Sequence, residues 1–377
     1  MNYRKQFAVA FVSATLYGAC ALPDIANAQT VTLYGVISTG LQYVSNSGGG
    51  KLFQMANGGM MQPRFGLKGD EDLGGGSHAI FTLENGFNIA NGAMSGGMFG
   101  RQAFVGLSNV SMGQLTIGRQ YEEMTGSLWW ALSANAFSGI GAHIGDNDNM
   151  FLTNRFNNSI RYQSPNLWGW TLAGMYAFSN STTWGNNNGF SFSANYAKGP
   201  LRFGTAMTQF NRHSNANPSN VTSGAVDGTG WGFSSPFVLN SAGAGVEQQR
   251  IIGVGGGYDL GRMNLTANYT NVLFNYSDTT GLRLQNAEVA ASIHITPAWI
   301  VGATYIYTWG KFSTDRKPAW HQIDLGTLHS LSKRTDVFVT AIYQKAAGDA
   351  PFAEIYSLSK SSGKSQVMAE IGMRHRF

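Results

Sequence analysis

The chain of 377 residues carries 25 basic and 20 acidic side chains, a formal charge of +5, yet only 12% of its residues are charged. Glycine, at 49 copies, far exceeds the ~7% of an average globular chain, and a single cysteine rules out a disulfide framework. A pI near 9.2 could suggest nucleic acid, but the basic residues are scattered at strand spacing and form no patch that would bind it.

Residues 1–28 read as a signal peptide. Arg4 and Lys5 form its positive start, the stretch from Phe7 to Leu22 is mostly apolar, and Ala26-Asn27-Ala28 supplies a small-residue cleavage site. Cleavage after Ala28 makes Gln29 the first mature residue and removes the only cysteine. Pro23 and Asp24 end the apolar run before it reaches membrane-anchor length, and the residues preceding Cys20 fit a lipidation site poorly. Loss of Arg4, Lys5 and Asp24 leaves 23 basic and 19 acidic residues, a mature charge of about +4.

No later apolar run approaches the ~20 residues of a spanning helix. Period-two segments run through the chain instead. In the first, Leu33, Ile37, Leu41 and Tyr43 share one face, and Thr32, Ser38 and Gln42 the other. Similar segments cover 79–87, 102–108, 171–178, 201–210, 251–258, 264–274, 287–295, 299–309, 322–331 and 336–344. Between them, short turns (71–74, 198–200, 260–262, 296–297, 332–335) alternate with Gly-, Asn- and Ser-rich connectors (45–59, 88–97, 179–189, 211–248, 277–281, 311–318, 345–364). The implied hairpins give about sixteen strands, with roughly seven short turns and eight longer loops, as in a transmembrane barrel.

The last segment is the clearest. Val367, Ala369, Ile371, Met373, His375 and Phe377 fall on one face, with Gln366, Glu370, Arg374 and Arg376 on the other. About ten residues at ~3.3 Å each, tilted ~45°, rise roughly 25 Å, enough to cross a bilayer. Tyr34, Tyr43, Trp168, Trp170, Tyr258, Trp299, Trp309 and Tyr343 lie near strand ends, where interfacial girdles belong. Only a closed sheet satisfies every strand's backbone groups in lipid. The reading is an all-β, antiparallel transmembrane barrel over residues 29–377.

Seven motifs then occur in order: V-T-L-Y-G-V from Val31, R-F-G-L-K-G-D-E-D-L-G-G-G from Arg64, R-Q-A-F-V-G-L from Arg101 and G-Q-L-T-I-G-R-Q from Gly113. N-N-S-I-R-Y-Q-S-P from Asn157, L-S-K-R-T-D from Leu331 and G-M-R-H-R-F from Gly372 complete the set. In this spacing the chain resembles the general porins of Gram-negative bacteria, β-proteobacterial type. The resemblance implies a sixteen-stranded homotrimer in the cell outer membrane, with one water-filled pore per subunit for passive diffusion of small hydrophilic solutes and ions. It implies contact with outer-membrane lipid and lipopolysaccharide, and insertion by the barrel-assembly machinery guided by Met373, His375 and Phe377. No enzymatic activity, cofactor or nucleic-acid partner is expected.

In that family the third long loop narrows the pore. Here it is 121–154, and Leu128, Trp129, Trp130, Leu132, Phe137 and Ile140 make it too apolar to hang in water. By motif, the family's basic wall maps onto Arg64, Arg101 and Arg161, with Lys68 and Arg119 as further members. Arg64, Gly66 and Lys68 share one strand face, and turning an arginine to mid-membrane lipid would cost ~2–4 kcal/mol, which favours the lumen. The loop's carboxylates, Glu122, Glu123, Asp146 and Asp148, are the expected acidic counterparts, although the P-E-F-G-G-D pattern of enterobacterial relatives is absent. Asp146-Asn147-Asp148-Asn149 lacks the glycine turn and terminal glutamate of a calcium loop, so no metal is expected. The basic wall and the mature charge together predict mild anion preference.

Overall fold

The computed structural model describes residues 30–211, 224–226 and 235–377. The expected signal peptide, with the expected cleavage between Ala28 and Gln29, lies outside the described residues, as does most of the 211–248 connector. Strands β1 (Thr30–Ser47), β2 (Gly50–Asn57), β3 (Arg64–Gly74), β4 (Ser77–Phe87), β5 (Met94–Ser95) and β6 (Gln102–Asn109) come first. They are followed by β7 (Gly113–Gln120), β8 (Phe156–Gln163), β9 (Trp170–Ala177), β10 (Asn188–Lys198), β11 (Leu201–Asn211) and β12 (Val246–Asp259). The rest are β13 (Met263–Tyr276), β14 (Gly281–Thr296), β15 (Trp299–Phe312), β16 (Pro318–Ser330), β17 (Thr335–Gly348) and β18 (Ser365–Arg376).

All pair antiparallel in one sheet, and β1 also pairs with β18, which closes it. β2 and β3 both lie along β1 and form one interrupted stave, while β5 is a two-residue clip on β4. The wall therefore has sixteen staves, the number expected from the alternation, and a closed sheet of this size is wide enough for an aqueous channel. At the seam, Gly35 N–H donates to Phe377 O (3.0 Å) and Phe377 N–H donates to Gly35 O (3.1 Å).

The period-two pattern sorts the faces. Leu41, Ile371, Leu325 and Val289 are exposed on the outer wall, whereas Gln42 and Glu370 are buried inside and joined by a 2.9 Å hydrogen bond. Met373 and Phe377 face outward, and His375 bonds the Thr335 hydroxyl at 2.9 Å. Trp299 and Trp309 stand at opposite ends of β15, roughly 23 Å apart along the membrane normal for a ~45° tilt. Among the described residues no helix is long and apolar enough to cross a membrane.

Several connectors are shorter than their composition suggests. The expected 45–59 loop is a hairpin: β1 runs to Ser47, Gly48 and Gly49 make the turn with φ of 62° and 108°, and β2 returns. Only a residue without Cβ adopts such angles cheaply. Strands likewise extend into 277–281 and 311–318, because Leu282, Leu284 and Phe312 continue the alternation.

Candidate pore constriction

The 121–155 segment folds into the barrel. It opens with a short helix, α1 (Glu123–Leu128), whose N-cap Glu122 accepts from Met124 N–H (2.7 Å) and Thr125 N–H (2.9 Å). A capping carboxylate satisfies amides that a helix start leaves unpaired. Gly204, Gly253 and Gly255 line the facing wall, where any side chain would collide with Leu128, Met124 or Ala131. Further along, Phe137 sits against Gly302 of β15 and Gly326 of β16. The glycine-rich strand Gly253–Gly257, which alternation alone leaves unexplained, is thus a docking surface for the loop.

Polar contacts tie down the rest. Ser133 N–H donates to Glu288 (2.7 Å), Gln249 Nε2 to Asn147 O (2.7 Å) and Asn268 Nδ2 to Ala131 O (3.0 Å). His143 lies between two carboxylates, 2.6 Å from Asp148 through Nδ1 and 3.1 Å from Glu288 through Nε2, with all three side chains buried. Burial opposes a charged imidazole, but Asp148 and Glu288 outweigh it and push His143 up to about 10. Burial would raise Asp148, yet the His143 charge and hydrogen bond hold it below the usual carboxylate range. Asp146 is pushed up to about 8, by burial first and by the Asp148 charge second.

The stability that His143 contributes is complete below its unfolded value of ~6.5 and drains away as pH rises through about 10. The Asp148 contribution has the opposite sense, and is lost as pH falls through that group's depressed value. Open-channel noise is therefore expected to begin growing as pH rises through about 8, where Asp146 ionises beside Asp148, and to grow further above about 10, where His143 loses its charge. Single-channel records across that range check this, and a transition centred near ~6.5 would mean that the imidazole is hydrated rather than clamped.

On the other side of the lumen, Glu84 of β4 gathers Arg101 (2.7 Å), Arg64 (3.5 Å) and the Tyr34 hydroxyl (3.0 Å). Arg101 also donates to Gln62 (2.8 Å) and to the Tyr121 hydroxyl (2.7 Å). Arg155 donates to the same hydroxyl (3.2 Å), its guanidinium 4.8 Å from the ring centre. Arg119 donates to Gly100 O (2.8 Å) and to Asn157. A cavity of about 270 Å³ borders Arg101, Arg119, Arg155, Phe151, Thr153 and Tyr356, and no carboxylate is among its described lining residues.

The structure thus brings Arg64, Arg101 and Arg119 into one cluster, while Lys68 stands apart over the Tyr34 ring at 4.6 Å. Arg161 does not join them: it pairs with Glu123 at 2.6 Å and pins α1 to the wall. The four loop carboxylates, expected to oppose the arginines across the pore, are instead buried in the loop's own attachment. Glu122 caps α1, Glu123 holds Arg161 and Ser193, Asp146 accepts from Phe151 and Thr153 N–H, and Asp148 holds His143 and Thr270. A buried carboxylate needs several donors, and an in-folded loop supplies them. Sequence reasoning missed Glu84, Tyr121 and Arg155. Glu84 shares the inward face of β4 with Thr82, a signal that was available; Arg155 follows the loop and carries no strand pattern.

A family model described as Gram-negative porin matches residues 13–349. An outer membrane porin protein of Bordetella pertussis is 28% identical, covering 96% of this chain and 99% of its own. Outer membrane porin protein 32 of Delftia acidovorans is 26% identical, covering 92% and 94%. Among solved structures, an anion-selective porin from Comamonas acidovorans superposes with a TM-score of 0.73 at 25% identity, covering 93% of this chain and 100% of that one.

Proposed function

The chain belongs to the Gram-negative porin family, and from that premise we propose that its constriction favours anions. The protein is an outer-membrane channel through which small hydrophilic solutes and ions diffuse passively. One observation carries the charge preference: the passage is bordered by Arg101, Arg119 and Arg155 and, among its described lining residues, by no carboxylate. Arg64 stands behind them, sharing Glu84 with Arg101. Charges within a Debye length of ~8–10 Å act on a passing ion, whereas those on outer loops are screened. The similarity to a porin described as anion-selective supports the same reading.

Zero-current potentials in a KCl gradient across a planar bilayer test it. A potential of the sign set by chloride is expected, and one set by potassium would overturn the anion preference while leaving the channel. The reading further includes a homotrimer, whose steps would come in threes, and a leader cleaved after Ala28. It also includes recognition of Met373, His375 and Phe377 by the barrel-assembly machinery and contact with lipopolysaccharide. It contains no catalytic step, cofactor or metal.

A further inference from the structure

We propose that the constriction selects small arenecarboxylates, binding the carboxylate at Arg155 and the ring at Phe151 and Ile140. This inference deepens the anion reading and rests on it. The arginines account for only part of the passage. The same cavity of about 270 Å³ is bordered by Ile140, Phe151 and Tyr356, contributed by two different loops. Hydrated inorganic ions gain nothing from such a wall, and apolar surface left facing water costs free energy in proportion to its area. A solute with an apolar ring covers it.

The apolar side is held in place from behind. The connector after β17 turns inward, where Trp320 Nε1 donates to Phe352 O (2.9 Å) and Ile355 N–H to Gln366 (2.8 Å). Tyr356 is thereby buried, its ring edge-on to Phe151 (5.2 Å, 84°) and its hydroxyl bonded to Thr153 at 3.1 Å. Phe151 and Ile140 stay only half-buried. Between Phe151 and Thr153, Leu152 adopts a φ of 75°, which is costly for a residue with a Cβ. Asp146 restrains that turn by accepting from Phe151 N–H (2.9 Å) and Thr153 N–H (3.1 Å). The strained turn brings Phe151 and Arg155 to the border of one cavity.

Arg155 is the cation best placed to take the carboxylate. Arg101 already has Glu84 at 2.7 Å, whereas among the described residues no carboxylate pairs with Arg155. Its guanidinium lies over the Tyr121 ring and donates to the Tyr121 hydroxyl, a neutral group that leaves its charge in place. An incoming carboxylate gains a charge-assisted hydrogen bond there. Its ring then extends the edge-to-face packing of Tyr356 and Phe151. Chloride would satisfy Arg155 but leave the apolar surface uncovered, and a neutral arene would do the reverse. An arenecarboxylate satisfies both, weakly enough to leave again, as conduction requires.

The test records single-channel chloride current through the full-length protein in a planar bilayer as benzoate, cyclohexanecarboxylate, acetate or benzamide is added. Benzoate is expected to interrupt the current at about tenfold lower concentration than acetate. Against cyclohexanecarboxylate the advantage should be about threefold. Benzamide should have no effect at these concentrations. Phe151→Ala is expected to bring benzoate to the acetate value, and Ile140→Ala gives a second reading should the first variant loosen the loop. Arg155→Gln should raise the concentrations needed for both acids about equally. Equal block by benzoate and acetate, or by benzoate and either of the other two compounds, would overturn the proposal, as would a ratio unmoved in both alanine variants. The zero-current potential in KCl alone separates the two readings. A potential set by potassium sinks the anion preference, whereas one set by chloride with equal block by the acids sinks only the arene site.

Discussion

Replacing both Arg119 and Arg155 by glutamate is expected to reverse the sign of the zero-current potential. Each exchange replaces a positive by a negative charge, so the double variant changes the lining by four units. At ~7 Å in a water-like medium one charge changes the energy of a passing ion by about 0.6 kcal/mol. Screening takes roughly half of that. Four units still amount to about 1 kcal/mol, opposite in sign for chloride and potassium, and the permeability ratio shifts by about tenfold or more. These two positions suit the experiment because Arg101 is buried against Glu84, where a second carboxylate would also damage the wall. An unchanged potential would mean that ions take a path away from this cluster.

A side chain at Gly302 or Gly326 is expected to enlarge the pore. Both glycines face inward beneath Phe137, and a Cβ at either would overlap it. Overpacking of this kind costs about 1–3 kcal/mol per site, which the inward loop can escape by leaving the wall. Gly302→Val and Gly326→Val should therefore give larger, noisier conductance steps and admit larger sugars in a liposome-swelling assay. The two differ in a useful way. At Gly302 the overlap is with the Phe137 ring, at Gly326 with its backbone carbonyl. Adding Phe137→Ala should thus restore normal steps to Gly302→Val but not to Gly326→Val. Equal rescue of both would mean that the loop is anchored elsewhere, for instance at His143.

Much of this architecture is legible in the sequence because strand alternation is a local property. Leu41 outside and Gln42 inside follow from neighbouring residues alone, as do Ile371 outside and Glu370 inside. The inward course of the third loop is also readable, since Leu128 and Phe137 need cover that only the lumen offers. Which charges meet across that lumen is not local. Glu84 reaches Arg101 through strand register, and Arg155 reaches Tyr121 through the path of a loop without periodicity. Arg161 looks equivalent to Arg101 in its motif, yet its neighbour is Glu123, placed there by a six-residue helix too short to leave a pattern. The 45–59 hairpin was hidden by composition: its glycines and serines outweigh the alternation of Leu52, Phe53, Gln54 and Met55.

The seam between the two ends of the chain sets the order in which the barrel can form. Every other stave pairs with a neighbour in sequence, but the bond from Gln42 to Glu370 spans 328 residues. Until that contact is made, the first and last staves both present bare edges, and in hydrocarbon each unpaired backbone group costs several kcal/mol. Entropy penalises so distant a closure only weakly with added length, yet contacts of this range are made late. Hairpin growth should thus be rapid and reversible, and seam closure the slow, committing step. A chain lacking Phe377 would stall there with its edges open, a substrate for proteases rather than a smaller pore.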